Sequence, residues 1–401
     1  MDWSFLIKNR DSVLVTTDSR KVTPGSVFVA LKGEHFDGND FVEQARKKGA
    51  QYIIGGENAL RDLQDLARAW RRELGLPILA VTGTNGKTTT KELCAAVLGT
   101  KYNLYYTQGN LNNQIGVPLT LLNITRAHEM AIVEMGASHP GDIKELVDIA
   151  EPDFGLITNV GQAHLEGFGS FEGVQKTKAE LYDFLLAHKG VVFRNADNLY
   201  LKKMLANLGN PENLRGLVEY TTGTMPEGTH LVGNYNAENV SAAICVGRYF
   251  GVSEEAALAA IRAYIPSNNR SQLVQTGKNT VVVDAYNANP TSMQAAIEAF
   301  DKSPITNHQS LMPKAFILGA MRELGNYSHT AHQNIVNMLL ERKADKVLLV
   351  GEEYKTTTAP YPVFDKVEDL CDHIQTQPIE GYRILLKGSR STQMEKVLTL
   401  L

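Results

Sequence analysis

The 401-residue sequence is poor in cysteine: Cys94, Cys245 and Cys371 lie far apart and form no C-x-x-C pair. That argues against a disulfide framework or a zinc site and points to buried thiols in a reducing compartment. Positive charge is not in excess either. Forty Lys and Arg against 44 Asp and Glu leave a net charge of −4, which speaks against a bulk electrostatic footprint for nucleic acid or an anionic membrane. A local basic pocket for an anionic metabolite is still compatible with it. No stretch approaches the ~18 consecutive apolar residues of a membrane span, and the opening MDWSFLIKNRDS has no secretory-signal pattern. There is no tandem repeat and no low-complexity tract. The expectation is a cytoplasmic globular protein.

What is present is an alternation of short apolar strands with helical segments, the pattern of α/β domains with mostly parallel sheets. SVFVAL and AQYIIGG flank a helical DFVEQARKKG, and a charged helix, LRDLQDLARAWRRELG, leads to Pro77. PILAVTG, EMAIVEMG, FGLITNV and GVVFRNA are strands of a second region, separated by helices and closing near Pro266. NTVVVDAYN, KAFILGAM, DKVLLVG and RILLKGS restart the alternation. Three α/β domains follow, near 1–77, 78–265 and 266–401.

The stretch AVTGTNGKTTTKEL, residues 80–93, has a strand, a glycine turn and a helix start. It lacks the outer glycine of G-x-x-x-x-G-K-[ST], since Val81 stands there. The physical needs of a phosphate cradle are nonetheless met. Gly83 and Gly86 let backbone amides approach an anion, and the helix N-terminus faces it. Lys87 can reach terminal phosphates and Thr88 can place a hydroxyl on Mg²⁺, with Thr89 and Thr90 adding hydroxyls. The plainer alternative is a glycine-rich turn with an exposed lysine.

Other residues are individually ambiguous. Glu134 ends a strand, where ligands gather in open α/β sheets, and is either a Mg²⁺ ligand or a solvated acid. His164, after a strand-end loop, is a metal ligand or a capping hydrogen bonder. Lys176 and Lys178 sit at the start of a helix, where the dipole disfavours cations. Asn112 and Asn113, within TQGNLNNQIGVPLTLL, suit turns or a site that binds amides and sugar hydroxyls. Asp284 follows the apolar VVV, with Asn287 and Asn289 beyond it, and Arg270 lies at the second boundary, placed to meet a phosphate.

In this order, GTNGKTTTKE, GNLNNQIGVPLTLL, EMGASHPGDI, ITNVGQAHLEGFGS and DAYNANPTSM resemble the Mur ligases of peptidoglycan synthesis, over nearly the whole chain. That family's loop lacks the outer glycine too. The resemblance is closest to the dipeptide-adding member. It implies an N-terminal UDP-sugar-binding domain, a central P-loop-type ATPase domain and a C-terminal Rossmann-like domain. The implied reaction joins D-alanyl-D-alanine to UDP-N-acetylmuramoyl-tripeptide through an acyl phosphate made with ATP.

The same resemblance implies roles by position. Gly83, Thr84, Asn85, Gly86, Lys87, Thr88 and Thr89 would bind ATP phosphates. Thr88 and Glu134 would hold one Mg²⁺, and His164 a second. Lys178 aligns with a lysine that becomes carbamylated, which would turn an awkward cation into an anion supporting Mg²⁺. Asn239 matches an adenine contact, Arg270 a terminal-phosphate contact and Asp284 a ribose contact. Ser19 and Arg20 lie in the UDP-sugar region, and Asn112 and Asn113 meet the muramoyl peptide. Asn287 and Asn289 fall among the substrate-binding residues. A monomer with no nucleic-acid partner is implied. Two departures stand out: Tyr235 replaces a common histidine, and Ala320 a common aspartate.

The family's preceding ligase, in its diaminopimelate-using form, carries a D-N-P-R motif that this sequence lacks. Folylpolyglutamate synthase shares the loop but not DSRKVTPGSVFVALKG. A non-catalytic nucleotide sensor need not keep Lys87, Thr88, Glu134, His164 and Lys178 together. The ligase reading is preferred.

Overall fold

The computed structural model describes residues 3–33, 35–267, 269–302, 312–342 and 344–401. Its strands are β1 (Val15–Thr16), β2 (Val27–Val29), β3 (Tyr52–Ile54), β4 (Ile78–Thr82), β5 (Leu104–Tyr106), β6 (Met130–Glu134), β7 (Phe154–Ile157) and β8 (Val191–Asn195). They continue with β9 (Gly216–Tyr220), β10 (Gln272–Gln275), β11 (Thr280–Asp284), β12 (Lys314–Gly319), β13 (Lys346–Val350), β14 (Val363–Phe364) and β15 (Arg383–Lys387). They form three sheets in the orders β1-β2-β3, β5-β6-β4-β7-β8-β9 and β10-β11-β15-β12-β13-β14. Every pairing is parallel except β10 with β11. The α/β class with parallel-sheet units is as the sequence pattern indicates.

The inner strands read as unbroken apolar runs because helices cover both sheet faces. β4 (ILAVT), β6 (MAIVE) and β8 (VVFRN) are buried at every position. In the central sheet the chain runs from β4 to β5 and β6 on one side, then to β7, β8 and β9 on the other. The strand order therefore reverses beside β4, which opens a crevice beyond the C-terminal ends of β4, β6 and β7. Gly83, Glu134 and Thr158 stand at those ends.

The first sheet has only a small cluster to itself, Val22, Phe28, Ala30 and Ala45, and shares the larger part of its core. Val15, Val27, Ile54, Leu63, Leu66 and Trp70 belong to one apolar cluster with Ile78, Ala131, Ile143 and Leu181 of the central unit. The helix Ala59–Leu74 joins them, its apolar stripe turned inward. Trp70 Nε1 donates to the carbonyl oxygen of Ile124 at 2.9 Å. Arg71 donates to the carbonyl oxygen of Ala150 at 3.0 Å and to Asp153 Oδ2 at 3.0 Å. The helix ends at Gly75, whose φ of 60° closes the left-handed turn. The third sheet, by contrast, has two clusters of its own, one on each face.

One expectation needs correction. Lys178 is not at a helix start: the helix spans Phe171–Ala187, with Ser170 capping the amide of Gly173, so Lys178 lies two turns inside. The helix dipole is a minor matter there, and burial is the dominant electrostatic fact.

Candidate active site

The phosphate loop is held from behind by the segment after β7. Asn159 accepts the amide of Thr84 on its carbonyl oxygen at 2.9 Å and the amide of Asn85 on Oδ1 at 3.0 Å. Thr158 Oγ1 donates to the carbonyl oxygen of Asn85 at 2.6 Å. This clamp explains Gly83: a Cβ there would stand 2.0 Å from Thr158 Oγ1. Gly86, at φ 80°, caps the helix Lys87–Leu98, and a Cβ on it would meet Asn239 Oδ1 at 2.4 Å. No side chain caps this helix, so its first amides face the crevice as an anion seat.

Lys87 Nζ donates to the carbonyl oxygens of Gly83 at 2.8 Å and Thr84 at 3.0 Å. Burial draws its pKa down to about 8, with the charge of Glu134 opposing that shift and Arg270 reinforcing it. Thr88 Oγ1 donates to Glu134 Oε1 at 3.1 Å, and Asn112 Nδ2 donates to the same oxygen at 2.8 Å. Glu134 Oε2 is buried without a hydrogen-bond partner. Thr90 Oγ1 donates to Asn239 Oδ1 at 3.0 Å, and Asn239 Nδ2 donates to Asn236 Oδ1 at 3.0 Å. Helix 87–98 is thus laced to helix Asn236–Tyr249.

These groups face a cleft of about 710 Å³ whose walls come from both six-stranded sheets. Of the sequence-predicted residues it gathers Thr84, Asn85, Gly86, Lys87, Thr89, Asn112, Asn113, Glu134, His164, Asn239, Arg270, Asp284 and Asn287 along its lining. Arg270 lays its guanidinium over the Tyr286 ring, 3.8 Å from the centroid, and its Nε is buried without a hydrogen-bond partner. Asp284 ends β11 in register with Lys387 at the end of β15. Lys387 Nζ donates to Asp284 Oδ2 at 2.6 Å and to the carbonyl oxygen of Asn287 at 3.1 Å.

The third unit meets the loop and the segment after β7 through polar contacts, among them three between side chains or side chain and amide. Asn289 Nδ2 donates to Asn85 Oδ1 at 2.8 Å, and Thr291 Oγ1 accepts the amide of Gln162 at 3.2 Å. The third joins His164 Nδ1 to the carboxylate of Glu323. His164 and Glu323 both adopt left-handed backbone, at φ 49° and 59°. Burial lowers the His164 pKa, while Glu323 pulls it up and the charges of Lys87 and Lys178 push it down. Asn289, expected to meet substrate, instead holds the loop and caps helix Pro290–Lys302 by accepting the amide of Ser292 at 2.8 Å.

Six expected residues stand apart from the lining: Gly83 and Asn289, placed above, and Lys178, Ser19, Arg20 and Thr88. Lys178 is 2 % exposed and makes no ion pair among the described residues; its Nζ lies 5.7 Å from the Phe168 ring centre. Burial, then the charge of Lys87, holds it well below the usual lysine range, against the pull of Asp142 and Glu180. Ser19 and Arg20 follow β1 in the first unit. Arg20 pairs with Asp18 at 2.9 Å in solvent, and the Ser19 carbonyl oxygen accepts Lys48 Nζ at 3.0 Å. Thr88 lies just beneath the cleft surface behind Glu134. At the two departures, Tyr235 shares a hydrogen bond of 2.5 Å with Ser271, and Ala320 is fully buried.

Sequence reasoning missed Lys387, Tyr286, Glu323 and the fully buried Lys91. Lys387 was findable, because it closes an apolar strand as Glu134 and Asp284 do. The contacts of Glu323 and Tyr286 arise from tertiary packing and leave no local signal.

Three family profiles match in succession: "Mur ligase family, catalytic domain" over residues 13–93, "Mur ligase middle domain" over 81–224 and "Mur ligase, glutamate ligase domain" over 269–390. The UDP-N-acetylmuramoyl-tripeptide–D-alanyl-D-alanine ligase of Bacillus subtilis (strain 168) is 32% identical, the match covering 96% of this chain and 92% of that one. The chain belongs to the Mur ligase family. The Escherichia coli (strain K12) protein of the same name is 33% identical over 96% of this chain and 93% of its own. Among solved structures of Mur ligases, the MurF ligase of Thermotoga maritima in complex with ADP superposes with a TM-score of 0.83 at 28% identity, covering 98% of this chain and 97% of that one. MurF from Acinetobacter baumannii gives 0.81 at 28% identity, over 97% and 93%. Among the described residues no helix is long and apolar enough to cross a membrane.

Proposed function

We propose that this Mur ligase joins the amine of D-alanyl-D-alanine to the terminal carboxylate of UDP-N-acetylmuramoyl-tripeptide, converting ATP to ADP and phosphate. The observation that carries the reading is the single cleft in which the phosphate loop of the central sheet meets Arg270, Asp284 and Lys387 of the third. The chain-long similarity to ligases of that name supports it.

A carboxylate is a poor electrophile, so ATP first converts it to an acyl phosphate; the dipeptide amine then attacks and phosphate leaves. The work left to the protein is positioning and charge neutralisation. Lys87 and the uncapped helix amides take the phosphates, and Arg270, whose side chain lines the same cleft, meets the terminal one. Asn239 faces the base and Asp284 the ribose. Asn112, Asn113 and Asn287 line the way to the reacting peptide ends. Ser19 and Arg20, with the first sheet near residues 1–77, receive the nucleotide sugar, while residues 78–265 hold ATP and 266–401 bring the dipeptide.

The residues present fit Mg²⁺. Glu134 offers a buried carboxylate oxygen with no hydrogen-bond partner beside the Thr88 hydroxyl, an all-oxygen donor set suited to a hard cation that keeps water and phosphate ligands. When bound, the ion screens the charge on the phosphoryl oxygens. His164 would hold a second ion, and Lys178 would support it as a carbamate, its depressed pKa supplying the neutral amine that CO₂ needs. We propose a cytoplasmic monomer without a nucleic-acid partner.

The test is ATP-dependent phosphate release with UDP-muramoyl-tripeptide, with and without D-alanyl-D-alanine, and the product mass. Release requiring both, with a pentapeptide product, is expected. Release with single amino acids but not the dipeptide would refute the assignment.

A further inference from the structure

Lys91 has no part in the chemistry above, although it lies one turn beyond Lys87 on the helix Lys87–Leu98 and is fully buried. Its ammonium donates to the carbonyl oxygen of Thr107 at 2.7 Å and lies 5.5 Å from the centre of the Tyr106 ring. Two carboxylates flank it, Glu134 Oε2 at 3.8 Å and Glu92 Oε1 at 3.6 Å. Glu92 accepts the hydroxyl of Tyr264 at 2.5 Å, just past helix Glu254–Ala263, where the chain leaves the central unit. A buried ammonium is costly unless partners answer its charge. Here the partners are the carboxylate that would hold the metal and its neighbour.

The arithmetic of charge around Glu134 then matters. Among the described residues Lys87, Lys91 and Arg270 stand with Glu134 and Glu92, three cations against two acids. A divalent cation arriving alone meets one carboxylate whose free oxygen already has an ammonium 3.8 Å away. Repulsion at that range is not screened as it would be in water. A triphosphate reverses the sign, since it brings both negative charge and oxygen ligands.

We propose that Lys91 is a counter-charge that makes divalent-cation binding at Glu134 conditional on nucleotide. The ion enters with the triphosphate and is turned away without it. Lys91 touches no reacting atom; it is a positioning residue that acts through Glu134. The inference rests on the cleft being an ATP site.

The experiment is a Mn²⁺ titration of the full chain by water-proton relaxation enhancement, which reports protein-bound ion, with and without ADP. Wild-type protein is expected to bind Mn²⁺ with ADP and to leave it free without. Lys91→Met is expected to bind Mn²⁺ without nucleotide about tenfold or more tightly than wild type, the sign set by removing one cation about 4 Å away. Lys91→Arg, which keeps the charge, is expected to behave as wild type. Wild-type protein that binds Mn²⁺ equally well with and without ADP overturns the proposal, and that result needs no variant to fold. A folded Lys91→Met with wild-type Mn²⁺ behaviour overturns it as well. Absence of Mn²⁺ binding even with ADP would remove the ATP-site reading and this inference with it.

Discussion

The side-chain amide of Asn289 donates to the side-chain oxygen of Asn85 at 2.8 Å, across 204 positions of sequence. One partner starts a helix against the third sheet and the other lies in the phosphate loop of the central sheet. Asn289 is 5 % exposed, so the bond is shielded where it joins the two halves of the cleft.

Breaking it should loosen the loop from the third sheet without unfolding either. Asn289→Ala and Asn85→Ala, each with the double variant, are expected to show a coupling of about 0.5–1.5 kcal/mol in kcat/KM for ATP. Strictly additive effects would show that the contact carries no energy in the working enzyme.

Gly86→Ala puts a methyl 2.4 Å from Asn239 Oδ1 at a backbone φ of 80°. Neither the buried amide nor the left-handed turn yields cheaply, so a stability loss of about 1–3 kcal/mol is expected. The loss should come with weaker ATP binding. Urea melts and nucleotide titration of the purified variant check both; an unchanged midpoint would refute the packing argument.

Lys87 has its pKa drawn down to about 8 by burial. Below that pH it carries the charge a polyphosphate needs, and above it the free protein has lost the proton. ATP binding is therefore expected to weaken as pH rises through 8, with proton uptake on binding above it. Calorimetry at pH 8.5–9 in two buffers of different ionisation enthalpy reads the uptake directly. The unfolded chain keeps this proton to higher pH, so the same group makes the fold relatively more stable as pH rises from about 8 towards the ordinary lysine value.

Lys178 is buried and held well below the usual lysine range. Its neutral amine should react with CO₂ at neutral pH. Depleting bicarbonate is expected to lower the ligase rate and restoring it to recover the rate, whereas Lys178→Met should be slow and indifferent to bicarbonate. A wild-type rate insensitive to CO₂ would count against a carbamate.

The strands legible in the sequence were the buried inner ones, because a parallel strand covered on both faces writes an apolar run, and one edge strand, β3, whose Tyr-Ile-Ile is apolar throughout. Those that were not, β1, β5, β9, β10 and β14, all lie at sheet edges. β10 alternates half-buried with exposed residues, and β9 is mostly half-buried. Such strands have no solid apolar run to show. The same logic divides the site. Residues at strand ends or in the glycine turn, such as Glu134, Asp284 and Lys87, announced themselves by position. Lys91 did not, because a buried lysine in a helix looks like a solvated one until Thr107 and Glu134 are folded against it. Nor did the true setting of Lys178, which depends on where its helix begins.

The apolar cluster shared by Trp70, Leu66, Ile78 and Leu181 bears on how members of this family exchange parts. A recombination crossover near Pro77 cuts through one interior and demands two surfaces already fitted to each other. One just past Tyr264 separates interiors that are largely complete by themselves, leaving mainly polar contacts to be matched, at Asn85, Gln162, His164, Glu166, Val232 and Tyr235. Chimeras that trade the segment after Tyr264 should therefore assemble far more readily than those that trade the segment before Pro77.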